Sequence, residues 1–274
     1  MIPDKEILRL EKIAKETRIR ILKMLTNSGS GHTGGSLSAV ELLVALYFKK
    51  MRHKPADPKW EGRDKFVLSK GHAAPVLYAV LALSGYFPEK ELMNLRKIGS
   101  ILRGHPYSGV TPGVEVPTGS LGQGLSMAGG MALAAKMDNK DIRIYTLLGD
   151  GECQEGQIWE AAMSCAHYRI DNLCAIVDNN GFQIDGQIKD IMEVEPFSEK
   201  WKAFGWEVFK INGHDFKEIL NALDKAETLK GKPSVILAKT VKGKGISFME
   251  NVNKYHGTTP TKEELERALK EIGE

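Results

Sequence analysis

The sequence predicts an α/β fold, a doubly wound, mostly parallel sheet with helices on both faces. Short β-rich runs such as 142–148 and 173–177 alternate with helical patterns of roughly 10 to 15 residues, as crossover-connected parallel strands require. Glycine is abundant, 28 of 274 residues, and it collects in the segments between those patterns. No low-complexity linker, internal repeat or long like-charge block interrupts the alternation, so residues 1–274 read as one domain.

In chain order, Met1 to Thr26 reads as an amphipathic helix, with Ile7, Leu10, Ile13, Ile21 and Leu25 near helical spacing. A second helix is expected from Ser36 or Ser38 to Lys50, where Ser38 and Glu41 fit a capping box. Phe66 to Leu68 reads as a short buried strand and Ala73 to Ser84 as a helix. Gly104 to Gly119, rich in Gly and Pro, is a long loop. Leu121 to Met137 is a helix of small residues suited to close packing. The clearest strands are Ile142 to Leu148, Leu173 to Val177, Glu207 to Ile211 and Val235 to Lys239. Helices at Gln157 to Tyr168, Ser198 to Phe204 and Phe216 to Leu229 separate them. Ligands in such sheets bind beyond the carboxyl ends of the strands, so the loops after strands are the informative ones.

Composition narrows the function. Lys plus Arg is 38 and Asp plus Glu is 35, and a net charge of +3 is too small to argue for nucleic acid. No apolar run approaches the roughly 18 residues of a membrane span. The charged N-terminus lacks the apolar core of a secretory signal. Cys153, Cys165 and Cys174 have neither the number nor the spacing for a disulfide framework or a cysteine zinc site. A cytoplasmic protein with reduced thiols is expected.

Two nucleotide motifs fail on inspection. Gly29 to Gly34 spells a dinucleotide-binding pattern but follows a helix rather than a strand. The stretch 29–36 resembles a phosphate loop but has Gly35 where the lysine belongs. The stronger signal ends the best strand, which runs into Gly149-Asp150-Gly151-Glu152. Flanking glycines allow a sharp turn and a close ligand approach. Asp150 would project a carboxylate, and the following helix would offer N–H groups to a diphosphate. A Mg²⁺ ion would bridge them, since it favours one or two protein oxygens plus phosphate oxygens. A second ligand is expected from Asp178-Asn179-Asn180-Gly181, with 28 residues (152 to 179) between Gly151 and Asn180.

Taken together the motifs resemble the N-terminal section of transketolase, a thiamin-diphosphate enzyme family. They are Ser30-Gly31-His32, Ser69-Lys70-Gly71-His72, Gly104-His105-Pro106, Gly119-Ser120-Leu121-Gly122, Gly149-Asp150-Gly151 with Gln154-Glu155-Gly156, Asn179-Asn180 and His256-Gly257. The resemblance runs from about Thr17 to Thr259 and implies the diphosphate-type thiamin-binding fold. It implies that Asp150, Asn180 and the carbonyl of Phe182 hold Mg²⁺, or Ca²⁺ in its place. The Gly151 N–H would face the diphosphate of thiamin diphosphate, and His72 and His256 would contact it. His32, His105 and His256 resemble the residues that handle hydroxyls and protons of the two-carbon unit. Leu121 and Ile184 would wedge the cofactor into its bent form, with Gly119 and Ser120 alongside and the Gly119 carbonyl accepting its amino group. Glu155 and Glu160 match acidic residues near the cofactor and the dimer interface.

The implied reaction transfers a two-carbon ketol unit from a ketose phosphate to an aldose phosphate, as in the non-oxidative pentose phosphate route. Histidines that are neutral or switchable at pH 7 suit proton traffic on sugar oxygens. Thr33 stands where the family usually has Pro, which loosens that loop. The sequence ends at Glu274, without a pyrimidine-binding domain. A separate C-terminal subunit and an α₂β₂ heterotetramer are therefore expected, with little activity in the chain alone. Two rivals stay open. One is another thiamin-diphosphate enzyme, such as a deoxyxylulose-phosphate synthase or a 2-oxo acid dehydrogenase component. The other is a non-catalytic subunit. The four histidines favour sugars, and the Asp150 and Asn180 pair favours catalysis.

Overall fold

The structure is a computed structural model and describes residues 2–274; Met1, where the first predicted helix begins, lies outside the described residues. Five strands form one sheet: β1 (Lys65–Leu68), β2 (Ile144–Gly149), β3 (Leu173–Asn179), β6 (Glu207–Asn212) and β7 (Ser234–Lys239). Their order is β1-β2-β3-β7-β6, and every pair is parallel. A two-stranded antiparallel ribbon, β4 (Phe182–Gln183) and β5 (Gly186–Gln187), stands apart and leads into a single turn of helix, α7 (Ile188–Ile191).

Alternate residues of the strands feed two cores. Tyr145, Leu147, Cys174, Ile176, Ile236 and Ala238 face one side. There they meet helices α1 (Asp4–Ser28), α3 (Val40–Ala45), α4 (Ala74–Ser84) and α9 (Phe216–Thr228). Ile144, Leu148, Ala175, Val177, Val235 and Leu237 face the other. Their partners are α5 (Gln123–Met137), α6 (Gly156–His167) and α8 (Phe197–Ala203), with Trp201 and Trp206 filling the layer. The central strands β2, β3 and β7 are buried on both faces, so apolar burial is their main driving force, while the edge strand β6 stays partly exposed.

Local chemistry sets the boundaries. Helix α1 buries Leu10, Ala14, Ile21, Leu22 and Leu25 and stops at Gly29, which sits at φ +63° and returns its N–H to the Leu25 carbonyl. Helix α5 packs by smallness: a Cβ on Gly124 would lie 2.4 Å from Ser69 Oγ, and one on Gly129 2.6 Å from Cys165 Sγ.

Two expectations need correction. The helix predicted to run to Lys50 is broken into α2 (Thr33–Leu37), α3 and a wide turn over Leu46–Lys50. Ser38 does not cap it, because its hydroxyl bonds Gly35 O at 3.3 Å and Asp178 Oδ2 at 2.5 Å. The capping box occurs instead at Thr261 and Glu264, at the start of α10 (Lys262–Ile272), a helix not predicted from the sequence. All three cysteines are buried and free.

Candidate active site

Four parallel strand ends meet at one edge of the sheet. Strand β1 runs into Ser69-Lys70-Gly71-His72, β2 into Asp150, β3 into Asn180 and β7 into Thr240-Val241-Lys242. Among them, Asp178 is fully buried at the end of β3. It accepts from the Lys70 ammonium, from Ser38 Oγ, from Thr240 Oγ1 and from Asn180 Nδ2 at 3.3 Å. Burial alone would push this carboxyl up; Lys70 and the two hydroxyls hold it below the usual range. Lys70 also donates to Gly35 O at 3.1 Å. Glu152 closes a second knot, accepting from Ser69 Oγ at 2.5 Å and from the N–H groups of Gly122 and Gly149 at 3.0 Å each. These acids tie the strand ends to the starts of α3 and α5. Lys70, Asp178 and Glu152 were not singled out as structural parts from the sequence. The available signal was a charged residue in, or directly after, an apolar strand.

Beside this frame lies a cavity of about 350 Å³. It gathers His32, His72, Gly119, Leu121, Asp150, Gly151, Glu155, Asn180, Phe182, Ile184 and His256, which come from widely separated parts of the chain. Ser120 is exposed and does not line the cavity. Glu160 is exposed on α6. His105 stands at the mouth, its ring 6.4 Å from that of His32 and packed on Gly119. Gly119 has φ +151°, and a Cβ there would lie 3.2 Å from the His105 ring.

Asp150 is 1% exposed. Its two oxygens accept from Gly151 N at 2.9 Å and Gly181 N at 2.5 Å. Burial is the main reason its carboxyl is pushed up to about 7, and the Asp178 charge adds to that. Asn180 Oδ1 accepts from Phe182 N at 3.0 Å, so Asp150, Asn180 and Phe182 form one turn. These three also line a neighbouring, more open cavity of about 710 Å³ with Lys239 and Glu193. The glycines at 149 and 151 have no left-handed φ; a Cβ on Gly151 would meet Gln183 Cβ at 3.0 Å. Close approach, rather than a sharp turn, is what glycine supplies at 151.

Three imidazoles meet inside. Ring centroids lie 5.3 Å apart for His32 and His72, 5.8 Å for His32 and His256, and 5.5 Å for His72 and His256. All are held neutral at pH 7. Burial lowers His32 to about 4 and His256 to about 3, and it places His72 well below the ordinary histidine value. Lys242, three residues beyond β7, is 1% exposed. It donates to His256 Nδ1 at 2.7 Å, which leaves the imidazole proton on Nε2. Burial, with Lys70 nearby, lowers Lys242 to about 8. His214 bonds Glu41 at 2.9 Å and accepts from Val241 N at 2.9 Å.

Asp150 has no cationic partner within salt-bridge distance among the described residues, and Lys242 has no carboxylate. The same cavity thus holds a buried acid and a buried base that do not pair with each other. No group of three His, Cys, Asp or Glu side chains among the described residues is arranged to hold a metal ion by itself. A hard cation would therefore need the mixed oxygens of Asp150, Asn180 and Phe182, and those suit Mg²⁺. A diphosphate on that cation would meet Lys242, His72 and His256. The donor set fits both groups.

A family model, transketolase, thiamine diphosphate binding domain, matches residues 10–274. The chain is 48% identical over 263 residues to a 6-deoxy-6-sulfo-D-fructose transketolase subunit of Clostridium sp. (strain MSTE9), covering 96% of each. It is 43% identical to an apulose-4-phosphate transketolase subunit of Phocaeicola vulgatus, over 97% of this chain and 94% of that one. The solved transketolase from Leishmania mexicana superposes with a TM-score of 0.91 at 34% identity, over 96% of this chain but 41% of that one. The chain therefore belongs to the transketolase family, as its N-terminal, thiamine diphosphate binding section.

Proposed function

We propose that this chain is the diphosphate-binding subunit of a split transketolase, moving a two-carbon ketol unit between sugar phosphates. The observation that carries the proposal is the pair of buried ionisable side chains without a salt bridge, Asp150 and Lys242, in one cavity with neutral His32, His72 and His256. Asp150, Asn180 and the Phe182 carbonyl would hold Mg²⁺, with Ca²⁺ as a substitute. Lys242, His72 and His256 would hold the diphosphate. Thiamin diphosphate, when bound, supplies the electron sink that a ketol transfer needs.

The chain's own residues do the rest. A neutral imidazole accepts a proton from a sugar hydroxyl and returns it, and His32 and His105 are kept neutral for that exchange. His256 is oriented by Lys242 so that its Nε2–H is free to donate to an anionic or hydroxyl oxygen. Leu121 and exposed Ile184 leave an apolar wall for the organic part of the cofactor. We also read residues 1–274 as one domain, because both cores share one sheet.

The partner proposed is a C-terminal subunit with the pyrimidine-binding domain, in an α₂β₂ assembly located in the cytoplasm. The subunits named above and the 41% coverage of the Leishmania chain support that partner. No helix among the described residues is long and apolar enough to cross a membrane. The relatives' names specify 6-deoxy-6-sulfo-D-fructose and apulose 4-phosphate, so both belong in the substrate panel beside xylulose phosphate.

The test is ketol transfer to an aldose phosphate with Mg²⁺ and thiamin diphosphate, by the chain alone and by the complex it forms with its partner. Activity in the complex only, lost in Asp150→Ala, is expected. Equal activity in the lone chain overturns the half-site reading. Silence of the complex across the whole panel overturns the transferase reading.

A further inference from the structure

Arg96 lies outside every motif that carries the family resemblance, yet its geometry is unusual. Its backbone sits at φ +62°, a left-handed conformation that non-glycine residues seldom adopt and that clusters at functional sites. The Arg96 N–H is tied to Leu102 O at 2.9 Å, which anchors the turn. The side chain reaches away from that turn to two other loops. Its Nη1 donates to Ser30 Oγ at 3.1 Å, and Nη2 lies 3.5 Å from Gly104 O. Ser30 is two residues before His32, and Gly104 is one residue before His105. Gly104 makes room for it, since a Cβ there would sit 2.9 Å from the guanidinium carbon.

We propose that Arg96 is a positioning residue, whose guanidinium cross-ties the His32 loop to the His105 loop and keeps both imidazoles aligned at the cavity mouth. This rests on the transferase reading above for its purpose, but not for its geometry. The need for such a tie is visible. Buried His32 Nδ1 has no hydrogen-bond partner, so no bond to its ring sets its orientation. His105 is exposed and is held mainly through its carbonyl, which accepts from Tyr78 Oη at 3.1 Å. A planar fork with fixed donors holds two loops in one defined orientation, whereas the rotatable ammonium of a lysine fixes no such plane.

Charge acts in the same direction. Arg96 is permanently cationic, and after burial it is the first charge that disfavours protonation of both His32 and His105. His32 also feels His105, Lys70 and Lys242. His72 and His256 face Lys70, Lys242, His32 and each other, and Arg96 does not act on them. The four rings therefore divide into two that Arg96 governs and two that serve as internal controls.

The experiment follows imidazole titration by NMR in the full chain, for wild type, Arg96→Met, Arg96→Lys and Gly104→Ala. In Arg96→Met the midpoints of His32 and His105 should rise by about half a unit or more, a fraction of the shift a close charge gives. Those of His72 and His256 should stay where they are. Arg96→Lys should keep the midpoints but broaden the resonances of Ser30 to His32. Gly104→Ala should displace the guanidinium and shift His105 without removing any charge. In the complex with its partner subunit, Arg96→Met should move the acid limb of the kcat profile upward more than it changes KM. Unmoved midpoints for His32 and His105, or an equal shift of all four rings, overturns the proposal. A wild-type complex without transfer activity overturns the function instead and leaves these midpoints to decide Arg96 alone.

Discussion

Two buried carboxylates stand at neighbouring strand ends and have opposite surroundings. Asp178 is saturated: an ammonium, two hydroxyls and an amide all donate to it. Asp150 receives two backbone N–H groups and no salt bridge, so burial pushes its carboxyl up, while Lys70 and its other donors pull that of Asp178 down. On the function proposed above, the difference separates a polar group buried to hold the fold from one placed to hold a cation. A satisfied network stabilises a unique arrangement, whereas an unmatched buried charge is retained only where a ligand completes it.

The largest effect that can break this comparison is Lys70→Met. Removing one partner strands Asp178, and the loss should be about 3–5 kcal/mol of stability, measured by urea denaturation of the ligand-free chain. A loss below about 1 kcal/mol would show that Asp178 is not the structural carboxylate.

Acid comes next. His32, His72, His105 and His256 are all lowered below their ordinary value near 6.5, chiefly by burial. A group depressed in the folded state stabilises fully above its unfolded pKa, and that contribution falls as pH drops towards the folded value. Asp150, raised to about 7, takes up a proton on folding over the same range and opposes this, so it is in Asp150→Ala that stability should hold at pH 7 and fall from about 6.5 down to about 3 to 4, where His256 and His32 titrate. Thermal melts of that variant between pH 7 and 4 test this. A Tm that is flat from pH 6.5 to 4.5 would contradict neutral, buried imidazoles.

The smallest effect on the empty fold is expected from Asp150→Ala, within about 1 kcal/mol of wild type. The same change should abolish the gain on adding Mg²⁺ with thiamin diphosphate to the complex, which for wild type is about 2.7 kcal/mol at a hundredfold excess over Kd. An undiminished gain in Asp150→Ala would place the cation elsewhere, and the more open cavity beside Asn180 would then be the candidate. Together the three measurements ask whether the two acids really divide structure from binding.

Much of this site is legible in the residues alone. Asp150, Asn180 and the four histidines lie in short glycine-bearing motifs at recognisable spacings, and the strands around them are plain apolar runs. The fold then brings His32, His72 and His256 within ring-to-ring distances under 6 Å. Ser120 is grouped with Gly119 and Leu121 by adjacency alone, and adjacency does not bring it to the cavity wall. Ser38 looks like a helix cap because an acidic residue follows three positions later, but a buried carboxylate 140 residues away competes for its hydroxyl and wins. Lys242 looks solvated among other lysines, yet the chain turns it inward against His256.

The sequence by itself determined the fold class, the alternation of strand and helix, and which residue types gather after the strands. Those follow from local apolar periodicity and from motifs a few residues long. Only the tertiary structure decided which charges pair. Lys70 meets Asp178 across 108 residues, Arg96 reaches Ser30 across 66, and Asp150 meets no cation among the described residues. The sign of a carboxyl or imidazole shift depends on burial and on through-space neighbours, and neither is written in the order of residues along the chain.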